Sequence, residues 1–219
     1  MQVEIWSDVV CPWCYIGKKR FETALENLAA EGITIDIDIV FRPFQLDPSA
    51  PVDSTSPVIE GYAKKFGGIE QAEKIISHVT NAAADSGITF NMGEALRANT
   101  LAAHRLLFLT LQNHGSEAQN RVKQSLLESY FTNGLDIGTR EVLVAAATSA
   151  GIPLATAETY VDSSDGDVEV RHDIMRAGDL GITAVPTFVF DGKWSVPGAQ
   201  DVAVFENVLR RLSSRALSD

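Results

Sequence analysis

Both cysteines of the chain fall in one four-residue stretch, Cys11-Pro12-Trp13-Cys14, directly after the short apolar run Val3-Glu4-Ile5-Trp6. A disulfide across so short a loop removes little entropy from the unfolded chain, so a structural role is poorly motivated and a chemical one is expected. Pro12 suits the first turn of a helix, where its missing N–H leaves nothing unpaired. A Cys-x-x-Cys that opens a helix places its first thiol against unpaired amides and the positive end of the helix dipole, which favours the thiolate. Cys11 then reads as the attacking, more exposed thiol of depressed pKa. Cys14, one turn on, reads as the buried resolving thiol. A zinc site needs four ligands, and His78, His104, His114 and His172 are scattered with no companion motif, so no metal is expected. Two ordinary buried cysteines are the bland alternative.

The surrounding pattern sets the fold class. Phe21, Ala24, Leu25 and Leu28 recur at the spacing of one buried helical face, which Gly32 ends. The run from Ile33 to Phe41 alternates and then becomes continuously apolar, as a strand does on entering a core. Strand, helix and strand this close together make a right-handed βαβ unit. Beyond Arg42-Pro43-Phe44 the pattern turns helical: helices are predicted near 58–66, 69–86, 99–114, 117–132 and 139–150, with a shorter one after Pro153. Asp8, Asn99 and Thr139 are candidate N-caps, and Gly115 and Gly151 candidate terminators. Another helix over 167–180 precedes two strands joined by Asp191-Gly192, a signal for a two-residue hairpin turn, and Phe205, Val208, Leu209 and Leu212 give a closing amphipathic helix. The expected architecture is α/β, a thioredoxin-like fold with an inserted all-helical domain: 1–44 and 165–219 form the thioredoxin-like domain and 45–164 the insertion.

Composition narrows the function. Acidic residues outnumber basic ones 29 to 18, a net charge of −11, which argues against a nucleic-acid partner. No apolar run approaches the roughly 20 residues of a membrane span, so no membrane partner is expected either. The strand signal starts at Val3, too near Met1 for a secretory signal, so the expected location is cytoplasmic. Structural disulfides are rare there, which again favours redox chemistry at Cys11 and Cys14.

Particular segments then resemble a known group. These are Ser7 to Gly17, Phe41 to Leu46, Asn99 to Leu106, Gly181 to Phe188 with its Val185-Pro186-Thr187, and Pro197-Gly198-Ala199-Gln200. Together, and in this order, they resemble the FrnE-like branch of the DsbA superfamily of disulfide oxidoreductases and isomerases. The resemblance implies attack by Cys11, resolution by Cys14, a cis proline at Pro186, and a substrate strand laid against the backbone of Val185. It implies disulfide-bonded proteins or small thiols as partners and no cofactor beyond the dithiol, with glutathione open as a redox partner. Kappa-class glutathione transferases and 2-hydroxychromene-2-carboxylate isomerases of the same superfamily typically carry serine at the first cysteine, so the intact pair argues against them. The Pro-Trp dipeptide lacks the histidine of DsbA, which argues against an equally oxidising potential.

Trp13 sits inside the dipeptide that tunes the thiols and offers an apolar contact to substrate. Glu4 stands where thioredoxin-like folds often hold a buried carboxylate behind the resolving thiol; a solvent-facing strand position is the other reading. His104 shares a helical stripe with Leu101, Phe108 and Leu111 and reads as a hydrogen-bonded core histidine. Alternatively the insertion overhangs the thiols and brings Asn99 or His104 near Cys11. The leading expectation is a thiol–disulfide oxidoreductase or isomerase. A glutathione-dependent isomerase or transferase of aromatic or polyketide-like molecules, and a redox-sensing chaperone-like module, are the alternatives.

Overall fold

The computed structural model describes residues 1–52 and 54–216. Asp53 of the expected insertion and 217–219 of the expected closing segment lie outside the described residues. The order is β1 (Gln2–Ser7), α1 (Pro12–Ala30), β2 (Asp38–Pro43), β3 (Ser56–Pro57), α2 (Val58–Phe66), α3 (Ile69–Asp85), β4 (Leu96–Arg97), α4 (Leu101–Phe131), α5 (Arg140–Ser149), α6 (Leu154–Asp162), α7 (Asp167–Asp179), β5 (Thr187–Phe190), β6 (Trp194–Pro197) and α8 (Val202–Ala216). The main sheet has the order β2-β1-β5-β6. β1 runs parallel to β2 and antiparallel to β5. This is a thioredoxin-like α/β fold carrying additional helices between β2 and β5.

Alternation along β1 sends its side chains to two cores. Val3 and Ile5 join Phe21, Phe188, Phe190 and Phe205 under α1 and α8, whereas Trp6 packs on the opposite face with Ala177 and Ile182. The larger helical core is built mainly from α4, α5 and the segment 88–98 after α3, and it takes in Val9, Tyr15 and Ile16 from the first helix and the loop before it. Leu106, Leu107, Val122, Leu126 and Tyr130 put the long helix α4 at its centre, and the helix breaks at Gly115, whose φ of 82° and ψ of 177° are non-helical. Gln119 of α4 then accepts from the Phe41 amide at 2.8 Å and donates to the Phe41 carbonyl at 3.0 Å. At Phe41, therefore, the edge of β2 is covered by α4 rather than open to another chain.

Two local expectations need correcting. The strand expected over Ile33 to Phe41 pairs only from Asp38, because its partner β1 begins at Gln2, which registers with Asp38. Ile33, Ile35 and Ile37 still pack against the core, so the alternation is real but has no neighbouring strand to bond. The hairpin loop has three residues, since Phe190 pairs with Trp194. Asp191 and Gly192 do take positive φ values of 48° and 65°, and Lys193 joins them by donating its amide to the Phe190 carbonyl. The short pair β3–β4 carried no alternating signal in the sequence.

Candidate active site

β1 ends at Ser7, and four residues later Cys11 occupies the N-cap position of α1, with extended φ and ψ of −89° and 113°. Its carbonyl accepts from the Cys14 and Tyr15 amides at 3.0 and 3.3 Å, which closes the first turn and stacks Cys14 one turn inside the helix. Both cysteines are free thiols. From the far side of the sequence the loop before β5 comes up against them. The Val185–Pro186 peptide is cis, and the Cys11 thiol lies 3.8 Å from the Val185 carbonyl oxygen. Gly17 lets that loop approach: a Cβ there would stand 3.0 Å from Pro186 Cγ and 3.3 Å from Ala199.

The structure corrects the expected exposure of the thiols. Cys11 is 3% exposed and Cys14 2%, so neither faces solvent. Tyr62 of α2 lies close enough to Cys11 for their charges to interact. Burial, reinforced by Cys11, pushes its phenol up to about 12. Trp13, half-buried, meets His78 of α3 with ring centroids 5.6 Å apart. Cys14 is held well above the ordinary thiol value, first by burial and then by its hydrogen bond and charge interaction with Cys11; Lys123 and the Asp8 backbone oppose this.

Behind the thiols lies a buried polar cluster. Asp8 is wholly buried; its Oδ1 accepts from the Val9 amide at 2.8 Å, and its Oδ2 from the Leu46 amide at 2.8 Å. His104 Nε2 stands 3.1 Å from both Asp8 Oδ1 and the Phe44 carbonyl. Two acceptors facing one ring nitrogen require that nitrogen to carry the proton. Lys123 of α4 is 1% exposed, lies over the Phe41 ring at 5.5 Å, and its Nζ has no hydrogen-bond partner. Burial lowers its pKa to about 8, against the attraction of Cys14, Asp8 and Cys11.

The remaining candidates lie apart from the sulfurs. The Glu4 carboxylate accepts from Arg42 Nε at 2.7 Å, and Arg42 also faces Asp173 at 3.7 Å. Glu4 sits on the face of β1 opposite Val3 and Ile5, committed to that ion pair rather than to Cys14. Asn99 donates to the Ala50 carbonyl and accepts from the Leu101 amide, steadying the start of α4. Of Glu4, Asn99 and His104, only His104 joins the buried cluster behind the thiols, and it does so through Asp8. Among the described residues no group of three His, Cys, Asp or Glu side chains could hold a metal ion. Sequence reasoning passed over Asp8 as a cap and missed Tyr62, His78 and Lys123. For Lys123 a signal existed, since it shares the apolar stripe of Leu126, Leu127 and Tyr130.

Comparison with known proteins places this geometry in context. The profile of the DSBA-like thioredoxin domain family matches residues 2–210. The crystal structure of the probable DsbA oxidoreductase SCO1869 from Streptomyces coelicolor superposes with a TM-score of 0.86 at 32% identity, covering 96% of this chain and 89% of that one. An uncharacterized Bacillus subtilis (strain 168) protein, YwbO, is 26% identical over 214 residues, 95% of this chain and 96% of its own length. The cytosolic disulfide reductase DsbM from Pseudomonas aeruginosa, solved with GSH, shares the fold at a TM-score of 0.66 and 14% identity, with 100% of both chains covered.

Proposed function

The chain belongs to the DSBA-like thioredoxin domain family, and from that premise we propose that it is a thiol–disulfide oxidoreductase of the FrnE-like branch, acting through Cys11 and Cys14. The observation that carries this reading is the meeting of three elements at one sulfur. Cys11 caps α1, Cys14 sits a turn inside, and the Val185 carbonyl before the cis Pro186 lies 3.8 Å from the Cys11 thiol.

In the proposed reaction the Cys11 thiolate attacks one sulfur of a substrate disulfide. A mixed disulfide forms, and the other substrate sulfur leaves with the electron pair and takes a proton. Cys14 then attacks Cys11 Sγ, and the first substrate sulfur leaves as a thiol. The substrate gains two electrons and the protein is left as the Cys11–Cys14 disulfide, to be reduced again by a cellular thiol. The dithiol is the redox group, and no other cofactor is assigned. An extended substrate adds as a strand along Val185, with Trp13 as its apolar contact. Isomerisation or reduction in a cytoplasmic setting fits the lack of a DsbA-type histidine between the cysteines. Glutathione is a candidate partner because the fold neighbour DsbM was solved with GSH.

The test is trapping of mixed disulfides on non-reducing gels after acid quench. Cys14→Ser retains the attacking thiol without its release step, so adducts accumulate; Cys11→Ser leaves only the inner thiol and traps few. Equal trapping by both variants, or none by a folded Cys14→Ser, refutes the assignment and favours a glutathione-dependent isomerase or transferase.

A further inference from the structure

One guanidinium ties together segments from three parts of the fold. Arg20 follows Gly17 by one turn on α1, so the two share a helix face. Its Nε donates to the Ser86 hydroxyl at 3.1 Å, and its Nη1 donates to the Ala199 carbonyl at 2.9 Å and to Asp201 Oδ1 at 3.0 Å. Arginine suits this junction, because its planar fork presents several donors in fixed directions where lysine has a single nitrogen. The three bonds are unequal. The Asp201 side chain is 83% exposed, so water competes for that ion pair and it holds little. Ser86 closes α3, its hydroxyl donating in turn to the Ala82 carbonyl at 3.0 Å. The Ala199 bond is the one that leads towards the thiols. Gly198, its neighbour, donates its amide to the Pro186 carbonyl at 2.7 Å, and Val185 before Pro186 holds its carbonyl oxygen 3.8 Å from the Cys11 thiol. Gly198 takes a φ of 82°, and with no side chain of its own this turn is placed by what contacts it from α1. Gly17 sets how closely it approaches, and Arg20 is what draws it in.

Resting on the redox reading above, we propose that Arg20 is a positioning residue for peptide substrates: by holding the Ala199 carbonyl it fixes the Gly198 amide, through that amide the Pro186 carbonyl, and so the place of the Val185 backbone beside Cys11. In this role it takes no part in proton or electron transfer. Its effect falls on partners that add as a strand along Val185, because a strand bonds only to backbone groups that stand at the right distance and angle. A disulfide with no peptide backbone has nothing to pair there and reaches Cys11 without this help. The site is thereby matched to extended peptide disulfides by a residue of α1 that lies outside the Cys-x-x-Cys turn.

The experiment follows single-turnover oxidation of the reduced protein by two probes that share a leaving group: a peptide whose one cysteine is joined in a disulfide to 2-mercaptoethanol, and bis(2-hydroxyethyl) disulfide, which has no peptide backbone. In Arg20→Ala the half-saturating concentration of the peptide should rise about tenfold with the limiting rate within about twofold of wild type, the loss expected from one misplaced backbone hydrogen bond. The rate with bis(2-hydroxyethyl) disulfide should be unchanged. Ser86→Ala, which leaves the Ala199 bond in place, should match wild type with both probes. Arg20→Lys keeps the charge and one donor nitrogen, so its rise should be smaller, about threefold and confined to the peptide, and it carries the test if Arg20→Ala does not fold. Apart from turnover, hydrogen exchange of the Gly198 amide should quicken in Arg20→Ala while the amides of β1 and β5 keep their wild-type rates. Equal slowing with both probes, unchanged peptide saturation in the folded variant, or an effect of Ser86→Ala as large as that of Arg20→Ala overturns the role of Arg20 and leaves the redox reading standing. Failure of wild type to react with either probe overturns the redox reading, and this inference with it.

Discussion

Replacing Lys123 by methionine should stabilise the protein at neutral pH, although it removes a charged residue from the centre of the fold. The argument is one of linkage. In the unfolded chain the amine titrates at its ordinary 10.5, whereas burial brings it to about 8 in the folded state. Between those values the unfolded state binds more protons, so this group makes stability rise with pH; below about 8 the folded state bears the full penalty. A fall of about 2.5 units at 1.36 kcal/mol each is about 3 kcal/mol. Against it stands the cation–π contact with Phe41 at 5.5 Å, lost in the variant and worth about 1–2 kcal/mol at a desolvated site. Methionine fills similar volume in an apolar stripe, so the net expectation is a gain of about 1–2 kcal/mol near pH 7. By about pH 10 less than ~1 kcal/mol of the penalty remains, and the gain should vanish or reverse. Cys14, Tyr62 and Tyr130, all raised, work in the opposite direction with pH, but they are present in both proteins and largely cancel in the comparison. Urea unfolding followed by tryptophan fluorescence at the two pH values measures the difference. A variant less stable than wild type at both, by the same amount, would refute the reasoning and make Lys123 a packing residue.

Other consequences are as direct. Gly17→Ala places a methyl group 3.0 Å from the Pro186 ring and 3.3 Å from the Ala199 backbone, so it should cost about 1–3 kcal/mol in urea unfolding and slow adduct formation at Cys11. Alkylation of the reduced protein should be slow at both thiols near neutral pH because both are buried. Tyr62→Ala should accelerate labelling of Cys11 without admitting reagent to Cys14, whose raised pKa confines its reactivity to alkaline solution; equal acceleration at both, read by mass spectrometry, would show that Tyr62 does not specifically cover Cys11.

What the sequence made legible is the part written in local pattern. Cys11 and Cys14 at a helix start and the i, i+3, i+4 face of Phe21 to Leu28 are short-range signals that lie where their pattern placed them, and Asp191-Gly192 does turn the chain between two strands, in a loop one residue longer than the pattern gave. The errors fall where a second segment decides the outcome. Ile33 to Ile37 alternate like a strand, yet no partner strand extends far enough to pair with them. Glu4 reads as a carboxylate behind the thiols until Arg42 is seen to hold it. Asp8 lies close enough to a helix start to read as a cap, and only Leu46 and His104 reveal a buried junction of two loops with helix α4. Tyr62 and Lys123 come from separate helices of the insertion, and no spacing within either helix points at Cys11 or Cys14.

The insertion also brings rings to the start of α1: Trp13 meets His78 of α3 at 5.6 Å between ring centroids, and half-buried Tyr62 of α2 is close enough to Cys11 for their charges to interact. Cys11 itself is 3% exposed. Under the proposed redox reading, a partner that reacts only when local movement uncovers the thiol has its apparent affinity reduced by the fraction of molecules open, so burial of Cys11 lowers affinity for every partner alike, and discrimination has to come from contacts that a partner makes in the open form.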